Sequence, residues 1–358
     1  MKRTVFAVLL AYCLLLCGCN NFLDGSYASL TPHAAQQVQT NQGMVTVSSA
    51  QECIAFLTDM TENSEEYAIF ALDPANAADI LEEMDTSITY VAKSTPIAAF
   101  TVEKISYEVG NTAGVQAVAI TVSYNANQLM MKTIRSAEDS EAAVSLIEEA
   151  LSQCKDRIVI QLKEYSYIDF EKRIREFISQ RPDAVMETSQ VTIRFYPESG
   201  DMQVMDVRFS YQNQLESLRQ MQNYVQPVFA AAELNVRGED VESTKYSMLF
   251  AFLMERNEYR HGVSNTPAYS LLRHGVGDSM AFARVYAAMC HRAELECYVV
   301  YGTRDGESWT WNIIRDGDRY YHVDLLRAHQ QGGFDRWTDG EMDGYIWDYS
   351  SYPACEDT

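Results

Sequence analysis

The sequence predicts an α+β protein in which two small α/β sandwich units precede a C-terminal domain. Stretches with the two-residue hydrophobic period of β-strands alternate with stretches of helical period along most of the chain. Between residues 44 and 235, matching landmarks recur about 88 positions apart, which indicates an internal repeat. The chain has 358 residues and 47% hydrophobic content, enough for two or three globular domains.

The N-terminus has the composition of a secretory signal. A positively charged start, Lys2-Arg3, precedes an apolar run from Val5 to Leu16 that is too short to span a bilayer. The run ends in Gly18-Cys19 and is followed at once by polar residues, an ending that resembles a bacterial lipobox. This resemblance implies a lipid on Cys19 and a protein anchored on the extracytoplasmic face of the cell membrane. The alternative is an ordinary signal peptide that happens to contain cysteines.

Polarity and hydrophobic periodicity divide the chain into five segments. We expect a signal peptide at 1–18, a flexible tether at 19–43, repeats at 44–154 and 155–235, and a C-terminal domain at 236–358.

Two pairs of landmarks support the repeat. Ile69 and Ile158 are 89 positions apart, and Tyr124 and Tyr211 are 87 apart. Each unit is predicted as strand–helix–strand–strand–helix, with the helices on one face of a small sheet. The predicted strands are 67–72, 100–109, 117–124, 157–162, 190–196 and 203–211, and the predicted helices are 76–84, 142–151, 170–179 and 215–232.

The stretch from Gly277 to Asp324 is the most informative part of the chain. It contains a glycine followed by a helix start, Gly277-Asp278-Ser279-Met280-Ala281-Phe282-Ala283. A strand with Trp309-Thr310-Trp311-Asn312 follows, and then a strand that ends in Tyr321-His322-Val323-Asp324. In order and spacing this resembles the core of transglutaminase-like domains, which have a papain-like fold.

The resemblance implies a site in which two of three catalytic positions have changed. The family's nucleophilic cysteine falls on Ser279, its histidine falls on Trp309, and its aspartate is retained as Asp324. A serine hydroxyl needs a general base within hydrogen-bond reach, and an indole has no basic nitrogen. The sequence therefore predicts a transglutaminase-like pseudoenzyme. A buried Asp324 without its imidazole needs other donors, and we expect the hydroxyl of Ser279 and the N–H of an indole or of nearby backbone to supply them. Asp324 should therefore lie within a few ångströms of the Ser279 and Trp309 side chains.

A residual hydrolase or acyltransferase that uses Ser279 remains an alternative. His274, His291 and His322 are the nearest candidate bases in the sequence, although His291 lies about 18 Å along the same helix. Ser279 also fits a simpler role as a helix N-cap beside an acidic residue.

The net charge and the cysteine content limit the kinds of partner and ligand that the sequence predicts. The chain has 28 Lys+Arg and 50 Asp+Glu, a net charge of −22, which argues against nucleic-acid binding. Outside the signal and Cys19, five cysteines remain, and their spacing matches neither a metal site nor a disulfide framework. No cofactor is predicted. The sequence places Cys290 in the core and leaves open whether Cys297 and Cys355 pair.

Aromatic side chains are candidates for binding a ligand. Trp309 and the aromatic C-terminal tail (Trp337, Tyr345, Trp347, Tyr349 and Tyr352) either stack on a sugar or peptide, or belong to the core.

The leading interpretation is therefore a lipid-anchored protein whose C-terminal domain binds a cell-envelope peptide, protein or glycan without chemistry. The remaining alternative is a structural spacer in which the N-terminal repeats bind the partner.

Overall fold

The structure is a computed structural model that describes residues 44–112, 114–262 and 264–356. The predicted signal peptide and Cys19 lie outside the described residues. Within the described part, no helix is both long enough and apolar enough to cross a membrane.

Fourteen strands and eleven α-helices form the described part of the chain. The strands are β1 Thr46–Val47, β2 Tyr67–Leu72, β3 Val102–Thr112, β4 Val115–Tyr124, β5 Arg135–Ala137, β6 Arg157–Leu162, β7 Gln190–Tyr196, β8 Gln203–Ser210, β9 Glu258–Tyr259, β10 Val276–Gly277, β11 Cys297–Arg304, β12 Glu307–Asp316, β13 Arg319–Val323 and β14 Tyr345–Trp347. The helices are α1 Ala50–Glu62, α2 Ala77–Glu82, α3 Met84–Ser94, α4 Pro96–Thr101, α5 Ser140–Ser152, α6 Phe170–Gln180, α7 Leu215–Asn235, α8 Glu242–Met254, α9 Pro267–His274, α10 Ser279–Arg292 and α11 Leu325–Gln330. Several small mixed sheets with helices packed on them make an α+β fold, which confirms the predicted class.

The first two sheets have the same topology. Their strand orders are β1-β2-β4-β3 and β5-β6-β8-β7, with one parallel pair followed by antiparallel pairs. Local details recur as well. Ser64 and Cys154 both adopt left-handed backbone conformations, with φ of 57° and 48°. The hydroxyl of Tyr124 donates to Glu65 O at 2.9 Å, and that of Tyr211 donates to Lys155 O at 3.1 Å.

Strand pairing places the start of the second sheet earlier than the sequence suggests. β5 pairs with β6, and α5 packs into the core of that same sheet. The predicted division between residues 154 and 155 therefore falls inside one structural unit, between α5 and β6. β5 has only three residues, too few to show a period in the sequence.

The segment 76–101 also differs from the expected pattern. The single helix predicted over 76–84 is two helices, α2 and α3, and the second continues to Ser94. The strand predicted from residue 100 begins at Val102, because Pro96 at the first position of α4 starts another helix there.

The connection after α3 joins the first unit to the second. Ile97 and Phe100 of α4 pack on Val159 and Val204, on the face of the second sheet opposite α5 and α6. β8 is consequently buried along most of its length. Its buried Asp206 is neutralised by Arg157, whose Nε lies 2.6 Å from a carboxylate oxygen.

The C-terminal sheet has the order β13-β12-β11-β14, with α10 packed against it. Close approach requires Gly302 on β11, because a side chain there would collide with the carbonyl of Ile346 and the ring of Trp311. The core of this region is continuous with Val225 and Phe229 of α7. The C-terminal domain therefore shares its core with the helix that follows the second sheet.

A buried arginine also links α10 to the second unit. The guanidinium of Arg284 donates to the carbonyls of Ile178 and Ser179 at the C-terminal end of α6, and the Ser179 contact is 3.0 Å. A cation is favourable at this end of a helix. Burial nevertheless lowers the pKa of Arg284.

The five described cysteines are all buried thiols, and Cys297 and Cys355 are both unpaired. Cys290 lies in the core, as predicted. Burial raises the pKa of Cys53 to about 11 and that of Cys355 to about 12. Neither side chain is therefore a thiolate at neutral pH.

Candidate functional site

The candidate site is built where α10 begins beside β12. Asp278 is the N-cap of α10, and its carboxylate accepts the N–H of Ala281 at 2.9 Å. Ser279 is the first helical residue, so the cap is the neighbouring aspartate and not the serine. Gly277 permits this entry, because a Cβ there would lie 3.0 Å from that of Ala281 and 3.1 Å from Leu271.

Among the residues that the structure describes, none supplies a base within hydrogen-bond distance of the hydroxyl of Ser279. Its side chain is 8% exposed, and its Oγ accepts the N–H of Thr310 at 3.3 Å, the one hydrogen bond that this atom makes among the described residues. The crevice that Ser279 and Asp324 line with Asn312 and Leu326 is too narrow to admit a water molecule.

The three histidines considered as bases are engaged elsewhere. The ring of His274 packs edge-on against Tyr269. His291 Nε2 lies 2.6 Å from the carbonyl oxygen of Cys297. His322 is buried and hydrogen-bonded to other side chains.

Trp309 occupies the position that the sequence resemblance assigns to the family's histidine. Its indole N–H donates to Asp324 Oδ2 at 2.9 Å, which is one of the contacts expected for this carboxylate. The ring of Trp309 is half-buried. Its centroid lies 5.6 Å from the ring centroid of Tyr259 and 5.3 Å from the guanidinium carbon of Arg304.

Asp324 is the most heavily hydrogen-bonded carboxylate of this region and is only 1% exposed. Its Oδ1 accepts the backbone N–H groups of Leu326 at 3.0 Å and Arg327 at 3.2 Å, so the residue is also the N-cap of α11. Its Oδ2 accepts from Trp309, from the hydroxyl of Tyr345 at 2.6 Å and from Arg304 at 3.3 Å.

Two of these donors were not predicted from the sequence. We expected the hydroxyl of Ser279 to reach Asp324, and Tyr345 and Arg304 take that place. Burial, and then the charge of Asp324, raises the pKa of Tyr345, so its hydroxyl keeps its proton and donates. The cap on α11 has a signal in the sequence, because an aspartate directly before a Leu-Leu-Arg run is typical of a helix start.

A second cluster lies on the other side of Trp311. Ligand atoms of His322, Asp339 and Cys355 lie within 4.8 Å of one another. The N–H of Trp311 donates to His322 Nδ1 at 2.9 Å, and His322 Nε2 lies 2.8 Å from Asp339 Oδ1.

The hydrogen bonds of this cluster fix the imidazole tautomer. An indole nitrogen only donates, so Nδ1 is the acceptor and Nε2 carries the proton that it donates to Asp339. No ring lone pair is left for a metal ion in this arrangement. The buried thiol of Cys355, with its raised pKa, is a poor nucleophile. This cluster could not be predicted from the sequence, because its members come from distant positions.

Most of the tail aromatics belong to the core. Trp337, Tyr345 and Trp347 are buried, whereas Tyr349 is 61% exposed. Tyr259, which sequence reasoning did not single out, is 43% exposed and lies against Trp309. The aromatic surface beside the site is therefore formed by Tyr259 and Trp309.

We expect Tyr345→Phe to lower the free energy of unfolding by about 1–3 kcal/mol, because a buried carboxylate loses one donor. Urea denaturation of both proteins at pH 7 measures this change. Tyr349→Phe is the matched control, since that ring is exposed, and its effect should stay within about 0.5 kcal/mol. Equal losses in the two variants would contradict a supporting role for the Tyr345 hydroxyl.

The chain was compared with known protein families and solved structures. Residues 230–341 match the transglutaminase-like superfamily. A "putative cysteine protease" from Cytophaga hutchinsonii is 11% identical, over 44% of this chain and 70% of that chain, with a TM-score of 0.27. A protein described as a TGase is 10% identical, over 63% of this chain and 68% of that chain, with a TM-score of 0.28.

A "putative protease" from Parabacteroides distasonis ATCC 8503 is 8% identical, over 59% of this chain and 48% of that chain, with a TM-score of 0.23. At such scores these likenesses carry no argument about the fold or the activity of this chain. No curated protein matches the chain. The family match, on the segment that contains Ser279, Trp309 and Asp324, identifies the region 230–341 as a transglutaminase-like domain.

Proposed function

We propose that this protein is a lipid-anchored extracytoplasmic lipoprotein whose transglutaminase-like domain binds a cell-envelope peptide, protein or glycan without making or breaking covalent bonds. The observation that carries the proposal is the hydrogen bond from Trp309 to Asp324, 2.9 Å long. An indole stands where related domains hold the imidazole, and it directs a proton toward the aspartate instead of accepting one from a nucleophile.

Three features argue against acyl transfer at Ser279. The hydroxyl lacks a base within hydrogen-bond distance among the described residues. The carboxylate that would orient a base already accepts five hydrogen bonds. The crevice beside the hydroxyl admits no water, so neither a substrate carbonyl nor a hydrolytic water fits there.

A binding role is favoured by the surface beside the same position. Tyr259 is exposed, and it extends the ring of Trp309 into a contiguous aromatic surface. Arg304 lies over the ring of Trp309 and keeps about a quarter of its side chain exposed. An aromatic surface with a neighbouring guanidinium fits the stacking and hydrogen-bonding groups of a peptide or a sugar.

The absence of turnover is tested at the serine. We expect the purified full-length mature protein and its Ser279→Ala variant to hydrolyse p-nitrophenyl acetate and a peptide anilide at equal rates, both at the level of the buffer. The release of the chromophore measures both reactions. A wild-type rate tenfold above that of Ser279→Ala would establish a hydrolase and overturn the proposal.

The binding surface is tested by co-sedimentation with purified peptidoglycan, which offers both glycan and peptide. Tyr259→Ala should weaken binding at least about tenfold, because an exposed aromatic contact is lost. Tyr90→Ala and Tyr167→Ala are the matched controls, since these tyrosines are exposed on the first and second repeat units. Loss of binding in either control, with binding retained in Tyr259→Ala, would assign the partner to the repeats instead.

The membrane anchor is tested at Cys19, which carries the lipid in this proposal. Cys19→Ser should move the protein from the membrane pellet to the soluble fraction and remove labelling by a radioactive fatty acid. Cys13→Ser, within the predicted signal, should leave both results unchanged. Unaltered membrane association and labelling of Cys19→Ser would contradict the anchor.

A further inference from the structure

We propose that the C-terminal segment Trp337–Cys355 is a removable cover over the carboxylate of Asp324, and that it stays docked only while His322 is uncharged. Mild acid would therefore release the cover and expose Asp324. This inference concerns the covering segment alone and does not depend on which ligand the domain binds.

The segment covers the carboxylate of Asp324 directly. The hydroxyl of Tyr345 donates to Asp324 Oδ2 at 2.6 Å, and both side chains are buried. β14 pairs with residues 302–304 of β11, and the N–H of Asp305 donates to Gly344 O at 2.8 Å. Undocking of this strand would remove the side chain that now covers the carboxylate.

The two ends of the segment are held at His322. Trp337 and His322 exchange two backbone hydrogen bonds, 2.8 and 3.0 Å long. Asp339 accepts from the backbone N–H of Cys355 at 3.1 Å, and its own N–H donates to Cys355 O at 2.7 Å. Asp339 in turn accepts from His322 Nε2 at 2.8 Å. The backbone of His322 thus holds the start of the cover on β13, and its imidazole holds the end through Asp339.

The docked arrangement has no place for a second proton on this ring. Nδ1 of His322 already accepts the indole N–H of Trp311 at 2.9 Å. A proton added to Nδ1 would set two N–H donors against each other at that distance, so the contact would have to break. The ring has no solvent exposure and is packed edge-on against Trp347, 4.8 Å away.

Among the described residues that face this ring, Asp339 is the charged group and the thiol of Cys355 is the other titratable one; the facing rings of Trp311 and Trp347 carry no charge. Asp339 favours the imidazolium, whereas burial disfavours it and is the larger effect, so the pKa of His322 lies below its ordinary value of 6.5. The docked state is therefore fully stable above that ordinary value. As the pH falls below this ordinary pKa, the ring of the undocked state binds a proton more readily than the ring of the docked state does. The equilibrium therefore shifts away from docking.

The test measures how fast the thiol of Cys355 becomes accessible. The full-length protein is treated with 4,4′-dithiodipyridine between pH 7.5 and 5.0, and labelling of each cysteine is followed by peptide mass spectrometry. Rates are divided by that of glutathione at the same pH. Cys53, equally buried but in the first repeat unit, reports global unfolding in the same molecules.

We expect the rate at Cys355 to rise at least about tenfold from pH 7.5 to 5.0, because an undocked imidazole of ordinary pKa is mostly protonated at the lower pH. The rate at Cys53 should change less than about twofold. In His322→Gln, whose amide takes up no proton in this range, the rate at Cys355 should become independent of pH.

Three results would overturn the proposal. If the labelling rate of Cys355 in the wild type did not change with pH, docking would not depend on the charge of the His322 ring. A parallel rise at Cys53 would show that acid unfolds the whole protein. A wild-type pH dependence retained in His322→Gln would assign the effect to another group.

Discussion

The carboxylate of Asp324 is buried, and the neighbouring elements of the C-terminal domain each direct a donor at it. β12 provides the indole of Trp309, β11 provides Arg304, β14 provides Tyr345, and α11 provides two backbone N–H groups. A buried carboxylate without these partners would cost several kcal/mol. In a related enzyme this carboxylate would orient a catalytic imidazole. Here its hydrogen bonds join the sheet, the C-terminal segment and the cap of α11.

Asp324 and Ser279 differ in the number of hydrogen bonds that their side chains make among the described residues. Asp324 retains a structural task even without a histidine, because it caps α11 and accepts the Tyr345 hydroxyl. Within the described part of the chain, the hydroxyl of Ser279 by contrast makes a single hydrogen bond, to the backbone of β12, and it borders a crevice too narrow for a water molecule. The N–H of Trp309 is one of the donors to the aspartate. The exposed part of that ring, with Tyr259, is then available for contact with a partner.

The N-terminal units are part of the same packed structure. Ile97 and Phe100 of the first unit cover one face of the second sheet, and helix α7 enters the core of the C-terminal domain. Arg284 lies five residues after Ser279 on α10 and binds the end of α6. A mutation in the interface between the second unit and α10 would therefore affect the position of the start of α10, the helix that carries Ser279. For this reason the experiments above use the full-length protein.

Hydrophobic periodicity and short motifs are local properties, so the α+β class, most strand and helix positions and the segment that matches the transglutaminase-like family could be predicted from the sequence alone. The sequence also predicts an indole, that of Trp309, at the position where the family resemblance implies a base. The three-residue strand β5 at the start of the second sheet, the cap of α10 by Asp278, and the binding of Asp324 by Tyr345 and Arg304 were established only by the folded structure. The cluster of His322, Asp339 and Cys355 likewise appears only in three dimensions. Such contacts join residues up to tens of positions apart, and their partners are chosen by packing and by the need to satisfy buried polar groups, which no local pattern records.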